Sequence, residues 1–171
     1  MTKNKILDEK RLIVLDPRKE YNNLLIIDNY NDFYYYMREN NKEFQLSIRF
    51  DNDEDFEFLF LTIFEIGNLL LVLEECEDYI SPDNRSTSFL RLVKYGRHSN
   101  VRLLGIARRA SELSRNFRSQ VDKVTSFKQT DDMDLKVMEK FGLTGLDKLE
   151  KLDYTKNQIP IEDIHFKSII L

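Results

Sequence analysis

Cysteine is almost absent from this chain. The single one, Cys76, rules out an internal disulfide and fits a reducing compartment. No apolar run approaches the roughly 20 residues that a membrane helix needs, so no membrane partner is expected. Residues Met1 to Lys5 lack an apolar segment of the signal-peptide kind, which predicts no secretion signal. There is no internal repeat, no low-complexity tract and no linker that would split the chain. Glycine is scarce as well: the five glycines are followed by Asn68, Arg97, Ile106, Leu143 and Leu146. None precedes a lysine, so the sequence holds no G-x-x-x-x-G-K-[ST] loop, whose bare amides and lysine wrap phosphates.

What is present describes a globular domain. The chain has 171 residues, enough for one domain with a real core, and 42% of them are apolar against 33% charged. The formal net charge of −4 hides an asymmetry. Between Arg85 and Lys128 there are eleven Lys or Arg and two acids, so this segment carries +9 and the remainder −13. Such segregation marks an anion- or nucleic-acid-facing surface, a contact with an acidic neighbour, or a solvated basic helix face.

The most informative stretch is Leu69 to Glu75, Leu-Leu-Leu-Val-Leu-Glu-Glu. Five apolar residues in a row suit a strand buried on both faces of a parallel sheet. Glu74 and Glu75 follow where that strand would leave the core, at the sheet edge where ligands sit in open α/β folds. An apolar run closed by two acids has the shape of a Walker B strand, in which one acid serves Mg²⁺ and the other polarises a water. The same pattern also suits a core strand followed by a helix N-terminus, where acids are favoured by the dipole. Cys76, next in line, is either a reactive thiol or a buried one that packs as a small hydrophobe.

Around this stretch strands and helices alternate. Arg11 to Asp16 reads as a strand stopped by Pro17. Leu24 to Asp28 is a second short strand or a buried turn. Tyr30 to Glu39 fits a helix with an aromatic face, for core packing or base stacking. Phe44 to Phe50 alternates as a strand. Asp51-Asn52-Asp53 has neither the glycine nor the terminal Glu of a calcium loop, and reads as a turn with a helix cap. Glu54 to Ile66 is a helix ended by Gly67. Asp78 to Asn84 is a loop, Thr87 to Tyr95 a helix ending at Gly96, and Val101 to Ile106 a buried strand. Ser111 to Phe117 is a short helix, Val121 to Phe127 the next strand, and Asp131 to Phe141 a helix capped by Asp131 or Asp132. Leu143 to Leu152 forms a short helix or turn. Tyr154 to Ile159 and Ile164 to Leu171 form a C-terminal β-hairpin joined near Pro160. The fold class expected is α/β, three-layered, with a mostly parallel sheet.

Four segments together resemble the HerA/FtsK-type P-loop ATPases, the superfamily of DNA-packaging and DNA-translocating motors. Val14-Leu15-Asp16-Pro17-Arg18-Lys19-Glu20-Tyr21 is similar to the strand and turn after the first P-loop helix. Leu71-Val72-Leu73-Glu74-Glu75 is similar to Walker B. Lys94-Tyr95-Gly96-Arg97-His98-Ser99-Asn100-Val101 resembles the Gly-Arg-His turn into the next strand. Ala107-Arg108-Arg109-Ala110 onward to Phe127 resembles the sensor strand and its neighbour. The match spans about Arg11 to Leu152. It implies a RecA/HerA-like core, with 1–171 as a single truncated ATPase-like domain that begins after the first strand and the P-loop.

Further implications rest on the resemblance alone. Glu74 would support Mg²⁺, where the family usually has Asp. Glu75 would orient or activate the attacking water. Asp16 joins Glu74 as a cofactor-binding residue. Arg97, Arg108 and Arg109 would meet phosphate or reach into a neighbouring subunit. His98 is a structural corner residue. ATP and Mg²⁺ are the cofactors of the parent family, and the missing loop implies that this chain alone does not hydrolyse ATP and can stand without either cofactor. Expected partners are a second copy, complete ATPase subunits, or DNA. The implied location is the cytoplasm of a bacterial or phage-infected cell. A different class of function is a non-catalytic module that binds nucleic acid or an acidic protein through the 85–128 segment.

Overall fold

The computed structural model describes residues 6–80, 86–149 and 167–170. The chain divides into two compact units, Met1–Arg108 and Arg109–Leu171.

The first unit is built on a five-stranded sheet of β1 (Arg11–Leu15), β2 (Leu25–Ile27), β3 (Phe44–Ile48), β4 (Leu69–Leu73) and β5 (Val101–Gly105). Their order is β2-β3-β1-β4-β5, and every neighbouring pair is parallel. β1 and β4 are interior strands. Leu12 to Leu15 and Leu69 to Leu73 are all buried, as an unbroken aliphatic run dictates when both sheet faces are covered. Each such side chain contributes roughly 1.5–3 kcal/mol by leaving water. On one face Leu12, Val14, Leu70 and Val72 pack with Ile6, Tyr21 and Leu24. The register pairs Leu12 with Leu70 and Leu15 with Leu73, so the two strands end side by side.

Helices α1 (Tyr30–Glu39), α2 (Asp53–Ile66), the single turn α3 (Glu77–Ile80) and α4 (Thr87–Tyr95) link the strands. Asn29, Asn52 and Ser86 cap α1, α2 and α4 by accepting from the main-chain N–H groups of Asp32, Asp55 and Phe89, which fills orphan donors of the first turn. α2 touches both neighbours: the rings of Tyr30 and Phe58 lie 5.4 Å apart, and those of Phe60 and Phe89 4.9 Å apart. Gly67 ends α2 at φ 57° with its α-carbon against the Ser99 carbonyl; a Cβ there would lie 2.2 Å from that oxygen.

The second unit contains α5 (Arg115–Arg118), β6 (Lys123–Ser126), α6 (Asp132–Glu139) and β7 (Lys167–Ile170). β6 and β7 pair antiparallel, from Lys123 with Ile170 to Ser126 with Lys167. Its core gathers Ala110, Val137, Met138, Leu143 and Leu146. Asp131 caps α6 by accepting from the N–H groups of Met133 and Asp134.

Several expectations are corrected. Val101 to Ile106 is not a buried strand: β5 borders the sheet and only Val101 is buried in it. The Asp78 to Asn84 loop begins as the helical turn α3. Ser111 to Phe117 is split into a 3-10 turn at Ala110–Glu112 and α5, with extended Leu113 between. The strand within Val121 to Phe127 belongs to a separate antiparallel pair, not to the parallel sheet. Of the C-terminal hairpin, the 154–159 half lies outside the described residues, and the described part of the other half, β7, pairs with β6.

Candidate functional site

Topology opens a crevice at the carboxyl ends of β1 and β4. The chain leaving β1 runs on to β2, on one side, and the chain leaving β4 runs on to β5, on the other. Adjacent strands whose exits diverge leave room for a ligand at that edge. Residues 16–21 form one wall and residues 74–77 the other. The Glu74 N–H donates to the Leu15 carbonyl at 3.2 Å and stitches the walls together at their base.

Asp16 is completely buried. Its carboxylate accepts from the N–H of Glu20 at 2.8 Å and of Tyr21 at 3.1 Å. It also accepts from Ser47 Oγ at 2.9 Å and from Arg49 Nη2 at 2.8 Å and Nε at 3.1 Å. Burial alone would raise its pKa, but these donors hold it below the usual carboxylate range. The residue expected to bind a cofactor is thus engaged inward, where it fixes the loop that carries Arg18 and Tyr21.

Glu74 accepts a hydrogen bond from the Tyr21 hydroxyl. Burial and the Glu74 carboxylate both push the Tyr21 phenol well above its ordinary pKa, so it acts as a donor. No group of three or more His, Cys, Asp or Glu is arranged to hold a metal ion among the described residues. Mg²⁺ is commonly held by one or two carboxylates together with waters and phosphates. Glu74, at the end of β4, is the carboxylate that could take such a part.

Glu75 sits at φ 50°, in the left-handed region, which is unfavourable by roughly 1–2 kcal/mol for a side chain with a Cβ. Its neighbours pin it there: the Asp78 N–H donates to the Glu75 carbonyl at 2.9 Å, and the Cys76 N–H to Ile106 at 2.8 Å. The turn aims the carboxylate at two guanidiniums. Arg18 Nε donates to Oε1 at 3.3 Å, and Arg108 Nε lies 2.7 Å from Oε2. This second contact is an ion pair without hydrogen-bond alignment, because the Arg108 Nε–H points to Glu77 Oε1 at 3.2 Å. The main-chain N–H of Arg108 reaches the same oxygen at 3.3 Å. Glu77 is 5% exposed, and its Oε2 has no hydrogen-bond partner among the described residues.

The other expected residues fall elsewhere. Arg97 lies in the turn before β5, at the amino edge of the sheet. One strand length separates it from Glu75, on the order of 15 Å at the usual rise per residue. Arg109 belongs to the second unit, where it pairs with Asp134 at 3.2 Å, Asp131 at 3.0 Å and Glu112 at 3.4 Å. Cys76 is buried, and burial beside Glu77 pushes its thiol up to about 12, which makes it the packed hydrophobe and not a nucleophile. His98 is an exposed member of the Gly96–Ser99 corner.

Three site residues escaped the sequence reading: Arg18, Tyr21 and Glu77. The first two stand in the quoted loop after Pro17 but had no role there. Glu77 had a signal in the acid run Glu-Glu-Cys-Glu, whose third acid returns to the strand end after one turn.

No family profile and no curated protein matches the chain. Solved structures do. The genome packaging NTPase B204 of Sulfolobus turreted icosahedral virus 2, in complex with AMPPCP, superposes with a TM-score of 0.69 over 96% of this chain and 79% of that one, at 17% identity. The same protein with ATP-gammaS gives 0.66 over 92% and 80%, at 18% identity. The DNA-packaging ATPase B204 of Sulfolobus turreted icosahedral virus gives 0.53 over 94% and 96%, at 18% identity. The fold is similar to that of these packaging NTPases: an α/β fold with a mostly parallel sheet and flanking helices. Among the described residues no helix is long and apolar enough to cross a membrane.

Proposed function

We propose that this chain is an ATPase-type domain of the genome-packaging and DNA-translocating class, carrying the hydrolytic acid edge without its own phosphate-wrapping loop. The observation that carries the reading is Glu75: an acid delivered by an interior parallel strand to a topological crevice, with two arginines converging on it. Bound MgATP would supply the phosphoryl group to be transferred and the charge neutralisation around it. Glu75 orients the attacking water and accepts its proton. Tyr21 holds the adjacent Glu74 in place for Mg²⁺. Arg108 and Arg18 meet the charge that develops on the phosphate oxygens. None of the five glycines precedes a lysine, so hydrolysis requires a glycine-rich segment from elsewhere in a parent chain or from a companion ATPase subunit. Arg97 is the residue offered to phosphates of a neighbouring subunit, and DNA is the substrate moved.

The alternative of a binding module built on residues 85–128 has less support. Arg102 and Arg109 are already ion-paired with acids of this chain. Phosphate release from ATP tests the proposal. The chain alone should show none, whereas a form that includes an in-frame Gly-Lys-Ser/Thr segment should hydrolyse ATP. Glu75→Gln should then lower turnover by about 100-fold or more. A form with that segment that stays inactive, or turnover indifferent to Glu75→Gln, overturns it. Salt-sensitive DNA binding with no nucleotide effect would favour the binding module instead.

A further inference from the structure

We propose that Arg18 and Arg108 clamp Glu75 in the resting domain, and that a phosphate-class oxyanion draws both guanidiniums away and so frees the Glu75 carboxylate. The inference rests on the reading of Glu75 given above and concerns how that residue is held and released.

Three observations carry it. Each Glu75 oxygen faces one arginine, Oε1 facing Arg18 at 3.3 Å and Oε2 facing Arg108 at 2.7 Å. With a guanidinium beside each oxygen, an incoming water must share the carboxylate with the two arginines. Next, both arginines meet the acids only through Nε: neither terminal nitrogen of Arg18 or of Arg108 makes a hydrogen bond among the described residues. The side chains are 57% and 64% exposed. Their forks are therefore open to a planar or tetrahedral oxyanion, for which guanidinium geometry is suited. Finally, the cluster is imperfectly satisfied. One Arg108 Nε serves two carboxylates, and both Glu75 Oε2 and the buried Glu77 Oε2 lack a hydrogen bond among the described residues. Buried acceptors without a donor disfavour the arrangement, so the clamp is poised to exchange.

Glu77 gives the exchange a fixed pivot. Its Oε1 accepts from the Arg108 main-chain N–H as well as from the side chain. When the guanidinium swings to an oxyanion, the main-chain bond still anchors the segment. Glu77 is thus a positioning residue, whereas Arg18 and Arg108 are the groups that touch the ligand.

The test reads oxyanion binding rather than turnover, so its failure would tell against the clamp and leave the ATPase reading standing. The purified 171-residue chain is titrated calorimetrically with inorganic phosphate, triphosphate and ATP. Saturable binding is expected, weakened by about tenfold or more in Arg18→Ala and Arg108→Ala. Glu75→Gln, which removes the competitor, should tighten it several-fold. Glu77→Ala, which removes the acceptor of the Arg108 main-chain N–H, should weaken phosphate binding, and Glu77→Gln, which keeps that acceptor, should restore it. Unfolding temperatures identify any variant that misfolds, in which case Arg18→Lys and Arg108→Lys, which keep charge but lose the fork, take its place and should also bind more weakly. Equal affinity for triphosphate and ATP identifies the phosphate chain itself as the ligand, and tighter ATP binding identifies a nucleotide. Absence of binding, binding indifferent to both arginines, or weaker binding in Glu75→Gln overturns the proposal.

Discussion

Tyr21 donates its hydroxyl hydrogen to Glu74, and thereby ties the loop after β1 to the end of β4. The phenol is 2% exposed and packs among Leu12, Val14 and Leu24, so one side chain serves both the core and the acid edge. Tyr21→Phe keeps the packing and removes the donor. It should lower stability by roughly 1–2 kcal/mol, in the range of one hydrogen bond to a charged acceptor. Urea unfolding measures this.

Asp16 anchors the same loop from within. Its partner Arg49 is nearly buried too, at 9% side-chain exposure. Asp16→Ala leaves that charge unpaired and strips two main-chain donors of their acceptor. A loss of roughly 3–5 kcal/mol is expected, seen as a large fall in the chemical-denaturation midpoint.

Acid should act through the same group. The pKa values of Asp16 and Asp134 are lowered in the fold, so each adds stability above its unfolded value of about 4. That contribution is lost as pH falls through the lowered native values. The melting temperature should hold from pH 7 to about 5 and drop steeply below about 4. Asp16→Asn and Asp134→Asn, less stable at pH 7, should flatten that drop.

Gly67→Ala should be far more harmful than a glycine-to-alanine change on a helix surface. A Cβ would meet the Ser99 carbonyl at 2.2 Å, with the backbone at φ 57°. Both the clash and the left-handed strain then count, for a loss of roughly 2–4 kcal/mol. Thermal unfolding tests it.

Cys76 is 1% exposed, and its thiol is pushed up to about 12. Alkylation by iodoacetamide at pH 8 should therefore be slow in the native protein and fast in urea. Rapid native labelling would show that the end of β4 opens readily.

The parallel sheet was legible because β1 and β4 are aliphatic on both faces, a pattern that only interior strands need. The helix from Tyr30 was legible through its aromatic face, and the helix expected from Glu54, which begins at Asp53, through its apolar spacing after the turn and cap signal at Asp51-Asn52-Asp53. β5 was misread: Val-Arg-Leu-Leu-Gly is apolar enough to look buried, but burial depends on whether another strand lies beyond it, which local sequence does not encode. Glu74 and Glu75 were visible as the close of an apolar run. Arg18 was not, because its meeting with Glu75 spans 57 positions and depends on the register of β1 against β4. Arg108 and Arg109 look equivalent in sequence, yet one serves Glu75 and Glu77 and the other Asp134, Asp131 and Glu112.

The inward engagement of Asp16 changes how variants at that position should be interpreted. Oδ1 accepts from Glu20, Oδ2 accepts from Tyr21, Ser47 and both Nε and Nη2 of Arg49, and the carboxylate is closed off from solvent. A substitution there that abolished nucleotide affinity would report a sagging scaffold beneath Arg18 and Tyr21. It would say nothing about coordination, and only exchanges at Arg18, Glu74, Glu75 or Arg108 would speak to chemistry.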